Sequence, residues 1–168
     1  MTIVSRKSYR GLAAAALLIC LVAPAAGAPG DLEALTKASD LDSNPEHAKA
    51  VAAVCTACHS SAQFLTAARP YLRWEQTMQD MLDRGAVATD EQLDQILTYL
   101  VRNITVVNVN QSPPDQMAMT LQIPATVAEQ IVARRTTKPF TGAEELASVP
   151  GINREVLDKL KKKNLLQF

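Results

Sequence analysis

Cys55-Thr56-Ala57-Cys58-His59 brings two thiols and an imidazole within five residues. Two thiols separated by two residues can each add across a vinyl group of a porphyrin, and the next residue then offers a nitrogen to the iron. The same residue types serve other chemistries. Half of a zinc site would need a second Cys or His pair of similar spacing, and the chain has none. A thioredoxin-like dithiol would need a βαβ setting, and no alternation of strand and helix patterns surrounds the motif. A plain disulfide between Cys55 and Cys58 would leave His59 without a role. The expectation is one covalently attached haem c, held by Cys55 and Cys58 with His59 as an axial ligand.

An iron with His59 on one side needs a second donor for a closed, electron-transfer site. Met78 and Met81 lie one helical turn apart, so one of them at most faces the iron. Each is also a reasonable core filler, because methionine packs into irregular gaps. His47, the other histidine, falls near a helix start and is expected to face solvent. Tyr71, Trp74 and Tyr99 read as core residues with a secondary role against the porphyrin. Arg69 and Arg73 can pair with a propionate through the guanidinium fork.

The elements that must position these residues read as helices. Asn44 and Pro45 form a cap and first helical position, and the apolar residues after them lead to the Cys-His motif. Asp31 to Asn44 reads as a loop with a single helical turn. Tyr71 to Arg84 reads as a helix ended by Gly85. Thr89 and Gln92 match a capping box. Leu93, Ile96, Leu97, Leu100 and Val101 then mark Asp90 to Asn103 as amphipathic.

The order helix, Cys-x-x-Cys-His, helix, terminal helix resembles that of a small class I cytochrome c. The stretch Trp74-x-x-x-Met78-x-x-Met81-x-x-Arg84-Gly85-Ala86-x-x-Thr89-Asp90, followed by Ile96-x-x-Tyr99-Leu100, is similar to the small cytochromes that partner periplasmic dehydrogenases. The resemblance implies Met81, just before Gly85-Ala86, as the second iron ligand, with Met78 as the alternative. It also implies a dehydrogenase as electron donor and another redox carrier, such as a second cytochrome, as acceptor.

The N-terminus points to export. Arg6, Lys7 and Arg10 precede an apolar run from Gly11 to Val22 and a small-residue exit at Pro24 to Ala28, which is a secretory signal pattern. The run is shorter than the about 20 residues of a membrane span, so no stable span is expected once the leader is removed. Cleavage after Gly27 would discard Cys20 and leave a periplasmic chain whose only cysteines are those of the motif.

Charge divides the remainder. Residues 29–106 hold 11 acidic and 6 basic residues, whereas 107–168 hold 8 basic and 6 acidic. The expected organisation is a leader at 1–27, a cytochrome c domain at 28–106 and a second domain at 107–168. Thr105 to Val109 is a short β-like stretch, and Asn108 to Pro114 reads as a turn or linker. In the second domain, helices are expected at Thr126 to Arg135 and Arg154 to Lys163. Val107-Asn108-Val109-Asn110, Gln122-Ile123-Pro124-Ala125 and Pro150-Gly151-Ile152-Asn153 resemble a tandem helix-hairpin-helix domain of the competence DNA-receptor kind. Such hairpins offer backbone N–H groups to phosphate oxygens, but here the hairpin glycines are reduced to Gly151. Lys159, Lys161, Lys162 and Lys163 supply positive charge, which also complements a helix dipole.

The whole is expected to be all-α. It carries no Ser–His–Asp set and no carboxylate pair beside a titratable base, so the reading is a non-enzymatic carrier of single electrons with a C-terminal docking module. The alternative is an exported DNA-binding or surface-binding protein with a structural or sensory haem; nucleic acid would then bind through 107–168.

Overall fold

The structure is a computed structural model and describes residues 31–168. The leader at 1–27 and Cys20 lie outside the described residues. Nine helices are described: α1 (Asp31–Ala38), α2 (Pro45–Val54), α3 (Ala62–Leu65), α4 (Tyr71–Asp83), α5 (Asp90–Ile104), α6 (Pro114–Leu121), α7 (Ala125–Thr137), α8 (Ala143–Ala147) and α9 (Arg154–Lys162). Three short strands join them: β1 (Arg69–Pro70), β2 (Thr105–Asn108) and β3 (Leu166–Gln167). The chain is essentially all-α.

Local chemistry explains most boundaries. The Asn44 side chain accepts from the Glu46 N–H, and Pro45 opens α2. Thr89 and Gln92 exchange side-chain bonds with each other's backbone N–H groups, so the capping box forms as expected. At the end of α4 the Gly85 N–H donates to the Leu82 carbonyl and the Ala86 N–H to the Met81 carbonyl, at 2.9 Å each. Gly85 has φ +97°. This is a Schellman closure, in which a left-handed residue returns the chain to satisfy the last carbonyls. It fixes Met81 at the last turn of α4.

Two expectations are corrected here. Residues 31–38 form a full helix rather than a loop with one turn. Leu35 on this helix is completely buried, and Asp31 at its start accepts from both the N–H and the hydroxyl of Ser61. Tertiary contacts thus stabilise a helix too short to hold alone. The expected linker at 108–114 is a strand end, a turn and a helix start. Asn108 ends β2, the Ser112 N–H donates to the Asn108 carbonyl at 2.8 Å, and Pro114 opens α6.

Two buried clusters organise the fold. One gathers Leu35, Val51, Phe64, Trp74, Ile96 and Tyr99 from α1 to α5. The other gathers Met117, Ile131, Phe140, Leu146, Leu160 and Leu165 from the C-terminal helices, and it also takes Leu41 from the α1–α2 loop. Parallel pairing β1–β2–β3 ties the strand before α4, the exit of α5 and the C-terminal residues together. Trp74 donates from Nε1 to the Ile104 carbonyl at 3.3 Å, which anchors α4 on the end of α5.

Candidate functional site

The residues after α2 tighten into a 3-10 turn at Cys55–Ala57. That turn stands on the rim of a cleft of about 250 Å³. Cys55 and His59 line it from one side, and Met78, Met81 and Leu82 from α4 line it from another. Ile96 and Leu100 of α5, with Trp74 and Phe64, provide apolar wall. Cys58 is exposed and is not among the residues that line the cleft, whereas Cys55 is half-buried. Burial pushes the Cys55 thiol up to about 11. A thiol held in its neutral form is unlike the low-pKa thiolate of a dithiol redox catalyst.

The His59 Nδ1 lies 3.3 Å from the Ser60 carbonyl, and its ring meets Phe64 edge-on at 5.9 Å between centroids. Met78 packs against the N-terminal cluster, and Met81 lines the cleft beside it. Both methionines of the expectation therefore reach the cleft, and their surroundings differ. Arg69 and Arg84 place cations on the cleft wall. The Arg69 guanidinium stacks over Trp74 at 5.0 Å and donates to Thr77 Oγ1 at 2.9 Å.

Other expected residues lie elsewhere. Arg73 is exposed and donates to Gln76. Tyr99 is buried, with its hydroxyl donating to the Leu35 carbonyl at 2.7 Å; burial, reinforced by the charges of Asp42 and Asp40, raises its pKa. Tyr71 stands outside the cleft lining. His47 does not simply face solvent. Its Nδ1 sits 2.7 Å from Asp42 Oδ2 and its Nε2 3.2 Å from Asn44 Nδ2. Asp42, nearly inaccessible, also accepts from Arg102 at 3.1 Å. This ring has a structural task away from the cleft. Sequence spacing missed Phe64, which lies in a segment without a periodic pattern of its own, and Arg84, whose place at the end of α4 does not tell which way its side chain turns.

The C-terminal helices form two hairpins, α6–α7 and α8–α9. At the first, Gln122 adopts a left-handed conformation at φ 53°, and the Ile123 N–H donates to the Ala118 carbonyl at 3.0 Å. At the second, Gly151 has φ +91°, and a Cβ there would lie 2.7 Å from Val127 Cγ2. The hairpins are therefore in contact at Gly151 and Val127. Asn110 stitches the entry to this unit: its side chain accepts from the Phe140 N–H and donates to the Phe140 carbonyl, both at 2.8 Å.

Residues 102–163 match the family model of a helix-hairpin-helix motif. No curated protein and no solved structure matches the chain. The motif match begins within the last turn of α5, whose Asn103 also bonds the Leu41 N–H at 3.3 Å. The helix-hairpin-helix unit of this chain is therefore built against the helices that precede it.

Beyond the cleft, a wider depression of about 500 Å³ lies between residues 141–145 and Phe168. Glu145 on its wall is already bonded to Thr141 and Lys138, so no reactive set converges there. Among the described residues, no three of His, Cys, Asp and Glu come together to hold a metal ion. No helix among them is long and apolar enough to cross a membrane.

Proposed function

We propose that the cleft holds one covalent haem c and that the protein carries single electrons. Cys55 and Cys58 would form the two thioethers, His59 would be one axial ligand, and Met81 the other, with Met78 as the alternative. The observation that carries this reading is that Cys55, His59 and both methionines line one apolar cleft. A zinc site is a poorer fit, because its ligands must converge on one point. A porphyrin instead takes the sulfurs at its edge and the imidazole at its centre.

When bound, the group supplies a one-electron iron couple. The chain would do the rest. His59 and a methionine sulfur would both hold the iron, which would suit it to carrying an electron rather than to binding a substrate. A thioether ligand favours a higher potential than a second imidazole. The apolar wall of Phe64, Trp74, Ile96 and Leu100 would exclude water. Arg69, braced by Trp74 and Thr77, would counter the carboxylates of the group. The helix α4 would set the sixth ligand by way of the Gly85 closure that holds the Met81 carbonyl.

The leader pattern supports an exported, periplasmic carrier, and the resemblance to small cytochromes that partner periplasmic dehydrogenases supports a dehydrogenase as donor and another carrier as acceptor. The acidic first module would meet a basic patch on its partner, which speeds encounter. A second reading is supported by the helix-hairpin-helix match: DNA or surface binding through the C-terminal unit, with the haem structural or sensory.

The test is production of the exported chain together with haem-attachment machinery. A pigmented product whose colour survives denaturation is expected. Met81→Ala should abolish the sulfur–iron charge-transfer band and lower the potential, and Met78→Ala should preserve both. The reverse pattern reassigns the ligand, and a colourless product removes the haem reading.

A further inference from the structure

The end of α1 and the loop after it lie against the helix-hairpin-helix unit, which takes up the carbonyls of Ala38, Asp40 and Leu41, while that of Ser39 accepts from the Asp42 N–H within the loop. Lys163 Nζ donates to the Ala38 carbonyl at 2.8 Å and to the Asn103 carbonyl at 3.4 Å, and pairs with the Asp40 carboxylate. Lys159 Nζ donates to the Asp40 carbonyl at 3.0 Å. Gln122 Nε2 donates to the Leu41 carbonyl at 2.7 Å. Beneath these bonds the Leu41 side chain enters the C-terminal core.

The placing of Lys163 is physically specific. Ala38 ends α1, and Asn103 lies in the last turn of α5. The carbonyls at a helix C-terminus lack partners within the helix and carry the negative end of its dipole. A single ammonium has three N–H donors, and here two helix ends and a carboxylate use all of them. Gln122 occupies the left-handed turn of the first hairpin, where a glycine would let a phosphate approach the backbone. Its side chain reaches instead to the chain's own backbone.

We infer that residues 38–41 are the ligand of this helix-hairpin-helix unit. Donors suited to the oxygens of a phosphodiester hold a run of peptide carbonyls, and the unit serves as an internal clamp on the haem-module helices rather than as a nucleic-acid reader. Three other cations of the unit are also committed internally. Arg135 donates to the Val109 and Ser112 carbonyls, and Arg134 and Lys138 pair with Glu145. The inference does not depend on haem, and it stands or falls on measurements that do not read the pigment.

The experiment compares the full chain with Lys159→Met/Lys163→Met and with the charge-matched control Lys161→Met/Lys162→Met, whose lysines are exposed. Amide hydrogen exchange at Leu41 and Asp42 should accelerate about tenfold or more in the first variant, because the opening becomes local, and its melting temperature should fall. The control should change neither. If the double change prevents folding, Gln122→Ala gives the same exchange readout from an exposed side chain. Duplex DNA should not be retained by the wild-type chain at low salt. Unaltered exchange at Leu41, or salt-sensitive DNA retention by the wild-type chain, overturns the inference.

Discussion

The two halves of the molecule solve the problem of a small core differently. The C-terminal helices close on themselves: Met117, Ile131, Leu146, Leu160 and Leu165 are essentially inaccessible, and the hairpins touch at Gly151 and Val127. The N-terminal helices leave part of their core facing a cleft. Trp74, Ile96 and Leu100 belong to their buried cluster and at the same time line the cleft. A core that borders a void has lost contact partners along that wall. So small a unit has little stability in reserve. If the two proposals hold, the N-terminal half would draw stability from two outside sources, the haem proposed for the cleft and the clamp on residues 38–41.

The most drastic way to break this contrast is to remove the attachment chemistry. Cys55→Ser/Cys58→Ser should give a colourless chain in which amides of α2, α4 and α5 exchange rapidly while those of α6, α7 and α9 stay protected. Residue-resolved hydrogen exchange on the matured wild type and the variant reads this directly. Equal protection in both halves of the variant would mean that the cleft needs no filler.

A sharper comparison uses a glycine from each half. Gly85 and Gly151 both have positive φ, where an L-residue is strained by about 1–2 kcal/mol. A Cβ at Gly85 meets nothing within 4 Å, but at Gly151 it would strike Val127. Gly85→Ala should therefore cost only the conformational strain, about 1 kcal/mol. Gly151→Ala should cost about 2–4 kcal/mol, because overpacking is added. Denaturant melts would rank them. Gly85→Ala carries an additional signature: by loosening the closure on Met81, it should weaken the sulfur–iron band where Gly151→Ala leaves it unchanged.

Much of the N-terminal half was readable because its signals are local. Asn44-Pro45, Thr89 with Gln92, and Gly85 each act within one turn, and the structure places a cap, a capping box and a Schellman closure there. Cys55 and His59 of the motif share the cleft with the two methionines of α4 and the apolar face of α5. What escaped notice depends on distant partners. Helix α1 exists through Leu35 and the Asp31–Ser61 bonds. The strands β1 and β3 are two residues each, and only their pairing with β2 defines them. His47 reads as a surface residue until Asp42 is seen beneath it. Lys159 and Lys163 read as a helix-end cluster of charge. Their acceptors at Asp40 and Ala38 lie more than a hundred residues earlier in the chain, and no sequence window spans that distance.

The smallest effect separates the halves by their electrostatics. In the N-terminal half, burial raises Cys55 and Tyr99, the mark of groups deprived of water. In the C-terminal half, hydrogen bonds lower a half-buried surface carboxylate. The Thr141 N–H, then Lys138 and the Thr141 hydroxyl, hold Glu145 down from 4.5 to about 2. A depressed carboxylate contributes stability that is complete above its unfolded value and is lost as pH falls through the folded one. The turn from Thr141 to Glu145 should therefore loosen between pH 4.5 and about 2. Solvent still reaches and screens this half-buried group at the surface, so the change in global stability should be slight. Carboxyl NMR should place the Glu145 midpoint near the lower end of that window. Glu145→Gln should flatten the acid response of the Thr141 amide, since an uncharged acceptor keeps the bond but has no proton to gain. An acid response that persists in Glu145→Gln would locate its origin in another carboxylate.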